Sequence, residues 1–327
     1  MLRFAQRYAA FVLAYWAASV GVYFLCFGSV ANISTSFLES AAGLFNARVV
    51  LALTGITILV LVAGRGRYDF SKLLPVLIIA LAQIPFFSAF HMNKVCIPEI
   101  VAFWADPAFA HLDRALHGGQ DAFRLYHGAL GGIIPESLIV TLYFPVWVAV
   151  AYIYPAVIAA IEKDETRAIR HIRLHAVIWI LLGNVMATAF SSAGPVFFEL
   201  VTGRGDFDYV NAFLREDRAV FAGVIELQNK LWIEHSGGAL GTGISAFPSL
   251  HVGAAMLPLL WLVDRFGWRG LIGAVFPLMI QYGSVVTGFH YAVDGYASAL
   301  IACLCLVVLR QMQAGRAGGA AEPARGR

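Results

Sequence analysis

Charge is scarce in this chain. Only 13% of its 327 residues are Asp, Glu, Lys or Arg, while 60% are hydrophobic. Soluble globular proteins carry about a quarter charged residues, so this balance argues against a soluble domain and for a membrane protein. Cysteine is scarce too. The four, Cys26, Cys96, Cys303 and Cys305, lie within or beside apolar segments, and only Cys96 is placed to meet an oxidising compartment. Neither a disulfide framework nor a cysteine metal site is expected. There is no internal repeat and no composition shift that would mark a second domain. A single unit over residues 1–310 is expected, followed by a disordered cytoplasmic tail, 311–327, that lacks apolar periodicity. The formal net charge of +3 says little by itself, and no nucleic acid is expected among the partners.

What the chain does have is long apolar runs. Crossing about 30 Å of hydrocarbon takes about 20 residues of helix, and eight segments qualify: approximately 8–29, 47–64, 73–90, 137–161, 171–193, 249–264, 269–288 and 293–310. The expected fold is an all-α polytopic membrane bundle. The sixth and eighth segments are short, which places their outer ends in a protein-lined recess rather than in lipid. The first is too long for a signal-peptide core and is expected to be retained.

With eight spans both termini share a side, and basic residues mark it as cytoplasmic. Arg3 and Arg7 precede the first span. Lys72, then Lys163, Arg167 and Arg170, then Arg265 and Arg269, and finally Arg310 and Arg316 recur in every second connection. The acids fall mostly in the alternate, extracytoplasmic connections. In one of these, 91–136, Trp104, Ala108, Leu112 and Leu116 recur every four residues and predict an amphipathic helix in the interface. A packing lid and a direct part in admitting lipid both remain open for it. The other, 199–248, reads as a loop of solvated charges in which Arg204, Arg215, Arg218 and Lys230 are candidate phosphate contacts.

Two segments at extracytoplasmic span ends carry chemistry-bearing residues: GTGISAFPSLHVGAA, 241–255, and GSVVTGFHYAVDGYASA, 283–299. In the first, Pro248 suits the start of a helix, and the free N–H groups near Ser249 to Val252 suit an anion beside His251. In the second, His290 and Asp294 stand four apart and share a helical face. The carboxylate can then fix one imidazole nitrogen and leave the other as a nucleophile. A single interfacial histidine is ordinarily an amphipathic side chain. Two histidines and an aspartate gathered at span ends point to function.

FPSLHVG and GFHYAVDGYA resemble the two histidine motifs of the type-2 phosphatidic acid phosphatase superfamily, and within it the inositol phosphorylceramide synthase-like branch. The resemblance covers roughly the last 80 residues at motif level, with a general likeness to the superfamily's six-helix core. It implies that His290 attacks phosphorus, that Asp294 orients it, and that His251 protonates the departing oxygen, with no metal or other cofactor. Ser245, Pro248, Ser249, Gly288 and Tyr291 flank these residues as expected substrate contacts. Pro195 joins them from SSAGPVFFE, which reads equally as a Pro/aromatic motif of that branch or as a helix stop.

Phosphatases of this superfamily carry Lys-x6-Arg-Pro and an Arg six residues before the second histidine. Here that position is Ser284, and the Lys-x6-Arg spacing occurs at Lys163 and Arg170, followed by His171 on the cytoplasmic side. The deficit favours a singly charged phosphodiester over a monoester. The resemblance thus implies a lipid phosphotransferase taking a head group from a glycerophospholipid donor to a lipid alcohol acceptor. A lipid phosphatase of the same superfamily is the alternative, and a proton-coupled transporter stands further off because the residues sit at one face rather than mid-membrane. His171 and His175, four apart beside arginines, are expected at the surface rather than on a metal. A rhomboid-like serine site at Ser245 stands further off still, since no glycine follows that serine.

Overall fold

A chain threaded through hydrocarbon must satisfy its backbone polar groups internally. This one does so with helices: the computed structural model describes residues 1–30, 33–34, 37–38, 70–236 and 243–320, and no β-strand occurs among them. The helices are α1 (Leu2–Phe27), α2 (Leu73–Ile100), α3 (Asp106–Leu116), α4 (Ala122–Leu130), α5 (Glu136–Ile161), α6 (Glu165–Ala189), α7 (Phe198–Thr202), α8 (Asp208–Glu216), α9 (Arg218–Ser236), α10 (Leu250–Phe266), α11 (Val275–Val286) and α12 (Ala292–Ala320). Six stretches among the described residues are long and apolar enough to cross a membrane: α1, α2, α5, α6, the run Leu250–Val286 that contains α10 and α11, and α12. The protein is an integral membrane helical bundle. The span expected at 47–64 lies outside the described residues.

The run Leu250–Val286 folds back on itself. Gly267, at φ +61°, ends α10, and a 3-10 segment, Gly267–Ala274, leads into α11. A Cβ on Gly270 would strike the backbone of Leu262 and Val263, so the returning chain lies directly on α10. Both free ends of this hairpin, near residues 250 and 286, therefore reach the same face of the bundle.

Polar side chains register α1 on α2. Gln83 donates to the Tyr8 hydroxyl (3.2 Å), Trp16 to Ser88 Oγ (3.2 Å) and Asn93 to Ser19 Oγ (2.8 Å). The partner numbers rise together, so the two helices run parallel. α2 runs ten residues beyond the expected end at residue 90. Hydropathy falls there, but Asn93 is satisfied by Tyr15 and Ser19, and a polar residue with a partner costs a buried helix little.

Ion pairs close the opposite end of the bundle. Asp164 caps α6 by accepting from the amides of Thr166 (2.9 Å) and Arg167 (3.1 Å). Glu162 accepts from Trp261 Nε1 (2.9 Å), Arg265 (3.3 Å) and Arg167 (3.4 Å), and its carbonyl accepts from Lys72 (2.6 Å). Asp264 meets Arg310, Arg170 and His171. The basic residues that the sequence assigns to one side thus gather at one end.

Three expectations are corrected here. His171 and His175 are fully buried rather than at the surface: His171 lies between the Tyr154 hydroxyl and Asp264, and His175 Nε2 bonds the Ala151 carbonyl. Helix α6 turns that face inward, and protein partners pay for the burial. The region 199–248 is built largely of helices α7, α8 and α9 rather than loop. Residues 311–320, expected in a disordered tail, continue α12, while 321–327 lie outside the described residues.

Candidate active site

At the face where the hairpin ends meet, three turns interlock. The segment before α10 is held when Ser192 accepts from the amides of Ala246 (2.8 Å, at its carbonyl) and Phe247 (2.9 Å, at Oγ). The Phe247–Pro248 bond is cis. Ser249 then caps α10 by accepting from the Val252 amide (3.4 Å). The turn between α11 and α12 is tied by the Gly288 carbonyl, which accepts from Val196 (2.9 Å), and by the His290 amide, which donates to the Ser284 carbonyl (3.2 Å).

These turns bring His251, His290 and Asp294 together. His290 Nδ1 lies 2.8 Å from the Ala246 carbonyl and 3.3 Å from Asp294 Oδ2. A carbonyl only accepts, so Nδ1 carries the proton and Nε2 of the neutral ring is left with its lone pair. Burial pushes the imidazole down to about 3, with the Lys94 charge adding to the fall and the Ala246 bond opposing it. The ring is neutral at ordinary pH. Asp294 is fully buried; its Oδ2 also accepts from the Tyr291 amide (3.1 Å), and its Oδ1 has no partner. His251 is stacked on Tyr143 at 4.5 Å between centroids and lies tilted against Trp147 at 4.0 Å. Trp147 Nε1 also donates to the His251 carbonyl (2.8 Å). The two histidine rings stand 5.8 Å apart.

Both rings line a cavity of about 250 Å³. That is below the roughly 300–1,000 Å³ of pockets that enclose a whole drug-sized ligand. Ser245 and Pro248 also line it, whereas Ser249, Gly288, Tyr291, Pro195 and Asp294 are not among its lining residues. The serine is committed to its cap, and the Tyr291 hydroxyl donates to Asp106 (3.0 Å). Arg204, Arg215, Arg218 and Lys230 do not line the cavity. Helix α9 contributes Leu227 and Leu231 instead. Two π-helical turns among the described residues, Leu142–Val146 in α5 and Leu181–Met186 in α6, supply Tyr143, Phe144 and Gly183. Widened turns of this kind recur at functional sites. Among the described residues no three His, Cys, Asp or Glu side chains are grouped to hold a metal ion.

Two groups escape the sequence reading. Lys94 and His91, one helical turn apart on the unexpected extension of α2, line the cavity beside the two histidines. Asp106 and Asp113, to which the sequence gives no role, are buried on the inner side of α3. Asp106 accepts from the amides of Ala193 and Gly194 (both 2.8 Å) and from Tyr291, and Asp113 accepts from the Val293 amide (3.0 Å). Burial raises both carboxyls above their ordinary value despite these bonds. Their spacing of seven, with Phe109 and Ala110 between, is the signal that marks one buried face. The stripe of Trp104, Leu112 and Leu116 faces outward, as an interfacial helix requires.

Residues 137–308, just over half the chain, match the family model described as the PAP2 superfamily. No curated protein and no solved structure matches.

Proposed function

This chain belongs to the PAP2 superfamily, which makes it a phosphatase- or phosphotransferase-type lipid enzyme, and on that premise we propose that it transfers a phosphorylated head group from a glycerophospholipid to a lipid alcohol. The observation that carries the reading is the state of His290. It is neutral, held at Nδ1, and its ring lines the cavity beside that of His251.

His290 Nε2 attacks the donor phosphorus in line, and the bond from phosphorus to the diacylglycerol oxygen breaks. His251 gives that oxygen a proton. The Nδ1–H, bonded to Ala246 and facing Asp294, stabilises the positive charge that the ring acquires as the phosphohistidine forms. The acceptor hydroxyl then loses its proton to His251 and attacks phosphorus, and the nitrogen–phosphorus bond breaks. The catalytic set is His251, His290 and Asp294.

Ser284 stands where the superfamily's phosphatases carry an arginine, and Arg170 is paired with Asp264 at the far end of α6. Thirteen residues of helix separate it from cavity-lining Gly183, or about 20 Å. Both absences support a diester substrate, as in the inositol phosphorylceramide synthase-like branch that the motifs resemble. With the basic end of the bundle in the cytoplasm, both termini are cytoplasmic and the cavity opens extracytoplasmically.

Purified protein in liposomes, supplied in turn with inositol, glycerol and choline phospholipids plus diacylglycerol or ceramide, tests this by lipid mass spectrometry. A phosphorylated acceptor lipid is expected from the wild type and not from His290→Ala. Head-group release without any acceptor would make the enzyme a hydrolase, and full transfer by His290→Ala would end the reading.

A further inference from the structure

Several inward-facing cations among the described residues meet acids. Arg114 meets Asp121 and Asp206, Arg170 meets Asp264, and Arg265 meets Glu162. Lys94, half-buried, has no acid among the described residues. Its side chain lines the cavity with His251 and His290, and among the described residues neither a carboxylate nor a hydrogen-bond acceptor meets its ammonium group. Burying an unpaired charge is unfavourable. A fold that keeps one at the rim of its reaction cavity leaves it for an anion that comes and goes.

The position is built rather than incidental. Gly243, at φ +65°, brings the loop before α10 against the Lys94 carbonyl, which a Cβ at residue 243 would meet at 2.8 Å. The segment that carries His251 is therefore packed on the turn of α2 that carries Lys94. The first turn of α10 opens onto the same cavity through Leu250 and His251, and a helix N-terminus favours negative charge. Lys94 lies outside the residues that match the superfamily, 137–308, so the family match gives it no role.

We propose that Lys94 binds the non-bridging phosphoryl oxygens of the substrate and selects a singly charged phosphodiester, one ammonium group balancing one negative charge. This rests on the phosphoryl-transfer reading above and deepens it. The lysine acts by direct contact with the group being transferred. A monoester, near −2 at neutral pH, leaves about one charge unbalanced in the same cavity.

The test compares Lys94→Met and Lys94→Arg with wild type in two measurements. In the first, thermal unfolding in detergent is followed with and without orthovanadate, an oxyanion probe that needs no turnover. Vanadate is expected to raise the melting temperature of the wild type and Lys94→Arg but not of Lys94→Met. Ligand-free Lys94→Met is expected to melt at or above the wild-type temperature, because an uncompensated charge is gone; a purely structural lysine would give a lower melting temperature. In the second, donor KM for head-group transfer is expected to rise about tenfold or more in Lys94→Met, with Lys94→Arg recovering much of the loss. Discrimination between diester and monoester is expected to shrink in Lys94→Met. Unchanged vanadate stabilisation and unchanged KM in Lys94→Met would overturn the proposal. If the wild type transfers no head group at all, the transfer reading falls while the vanadate measurement still decides whether Lys94 binds an anion.

Discussion

The imidazole of His290 donates from Nδ1 to the main-chain carbonyl of Ala246 at 2.8 Å, closer than its 3.3 Å approach to Asp294. The residue three positions before the cis-peptide turn's serine cap, and not only the carboxylate, sets which nitrogen is free. The proton on Nδ1 is therefore held even when Asp294 loses its charge.

Loss of Asp294 should consequently cost less than loss of His290. Asp294→Asn is expected to retain measurable transfer, with kcat down about 10²–10³-fold from the lost electrostatic support, whereas His290→Ala falls to background. Initial rates on one donor lipid check the order. Equal loss in the two variants would show that Ala246 does not hold the ring.

The pH dependence of stability follows from the same histidine. Its folded value of about 3 lies below the ordinary 6.5, so the unfolded chain binds a proton that the native protein refuses. The contribution of the neutral ring is intact above about pH 6.5 and is lost as the pH falls from there toward 3. Melting temperatures in detergent between pH 4 and 8 should fall on the acid side, and His290→Gln should flatten that part of the curve.

At the other end of the bundle, Glu162 collects Trp261, Arg265 and Arg167. These bonds, with the Asp164 amide, hold its carboxyl below the ordinary value even though burial opposes them. Their stabilisation is present above the unfolded value of 4.5 and is lost as pH drops through the lower folded one. Glu162→Gln is expected to lower stability by about 1–3 kcal/mol while leaving kcat per folded molecule unchanged. Circular-dichroism melts and activity at matched folded fraction separate the two effects.

Asp106 offers a third check. Asp106→Ala orphans the buried amides of Ala193 and Gly194 along with the Tyr291 hydroxyl, at about 1–3 kcal/mol for each unpaired group. Tyr291→Phe removes one bond to the same carboxylate and should cost about 1 kcal/mol. Both variants should be rescued in part by lower temperature, and a neutral Asp106→Ala would deny the clamp.

The bundle was legible in the sequence because spanning helices are set by length and hydropathy, which are local properties. His251, His290 and Asp294 were legible because their spacing and neighbours are local as well. Lys94 was not, since a lysine in a region of falling hydropathy looks like the end of a span. The bonds of Asn93 to α1 and the packing of Gly243 on the Lys94 carbonyl show that the chain there is still inside. His171 and His175 misled for the reverse reason: arginines beside them suggested a surface, while Tyr154, Asp264 and Ala151 gave them an interior. Tertiary partners, invisible to a scan along the chain, decided each of these cases.

Helix α3 joins two environments through one short rod. Asp106 and Asp113 on its inner side grip the turns that carry the reaction cavity, and Leu112 and Leu116 on its outer side are free to rest in lipid. A float fastened this way behaves as a depth gauge. On the proposed function, with Leu112 and Leu116 in lipid, the cavity would sit within about one helix diameter, roughly 10 Å, of the lipid–water boundary. In the proposed reaction donor phosphates travel at that same height, so a lipid head group would reach the cavity by sliding sideways, without leaving its leaflet.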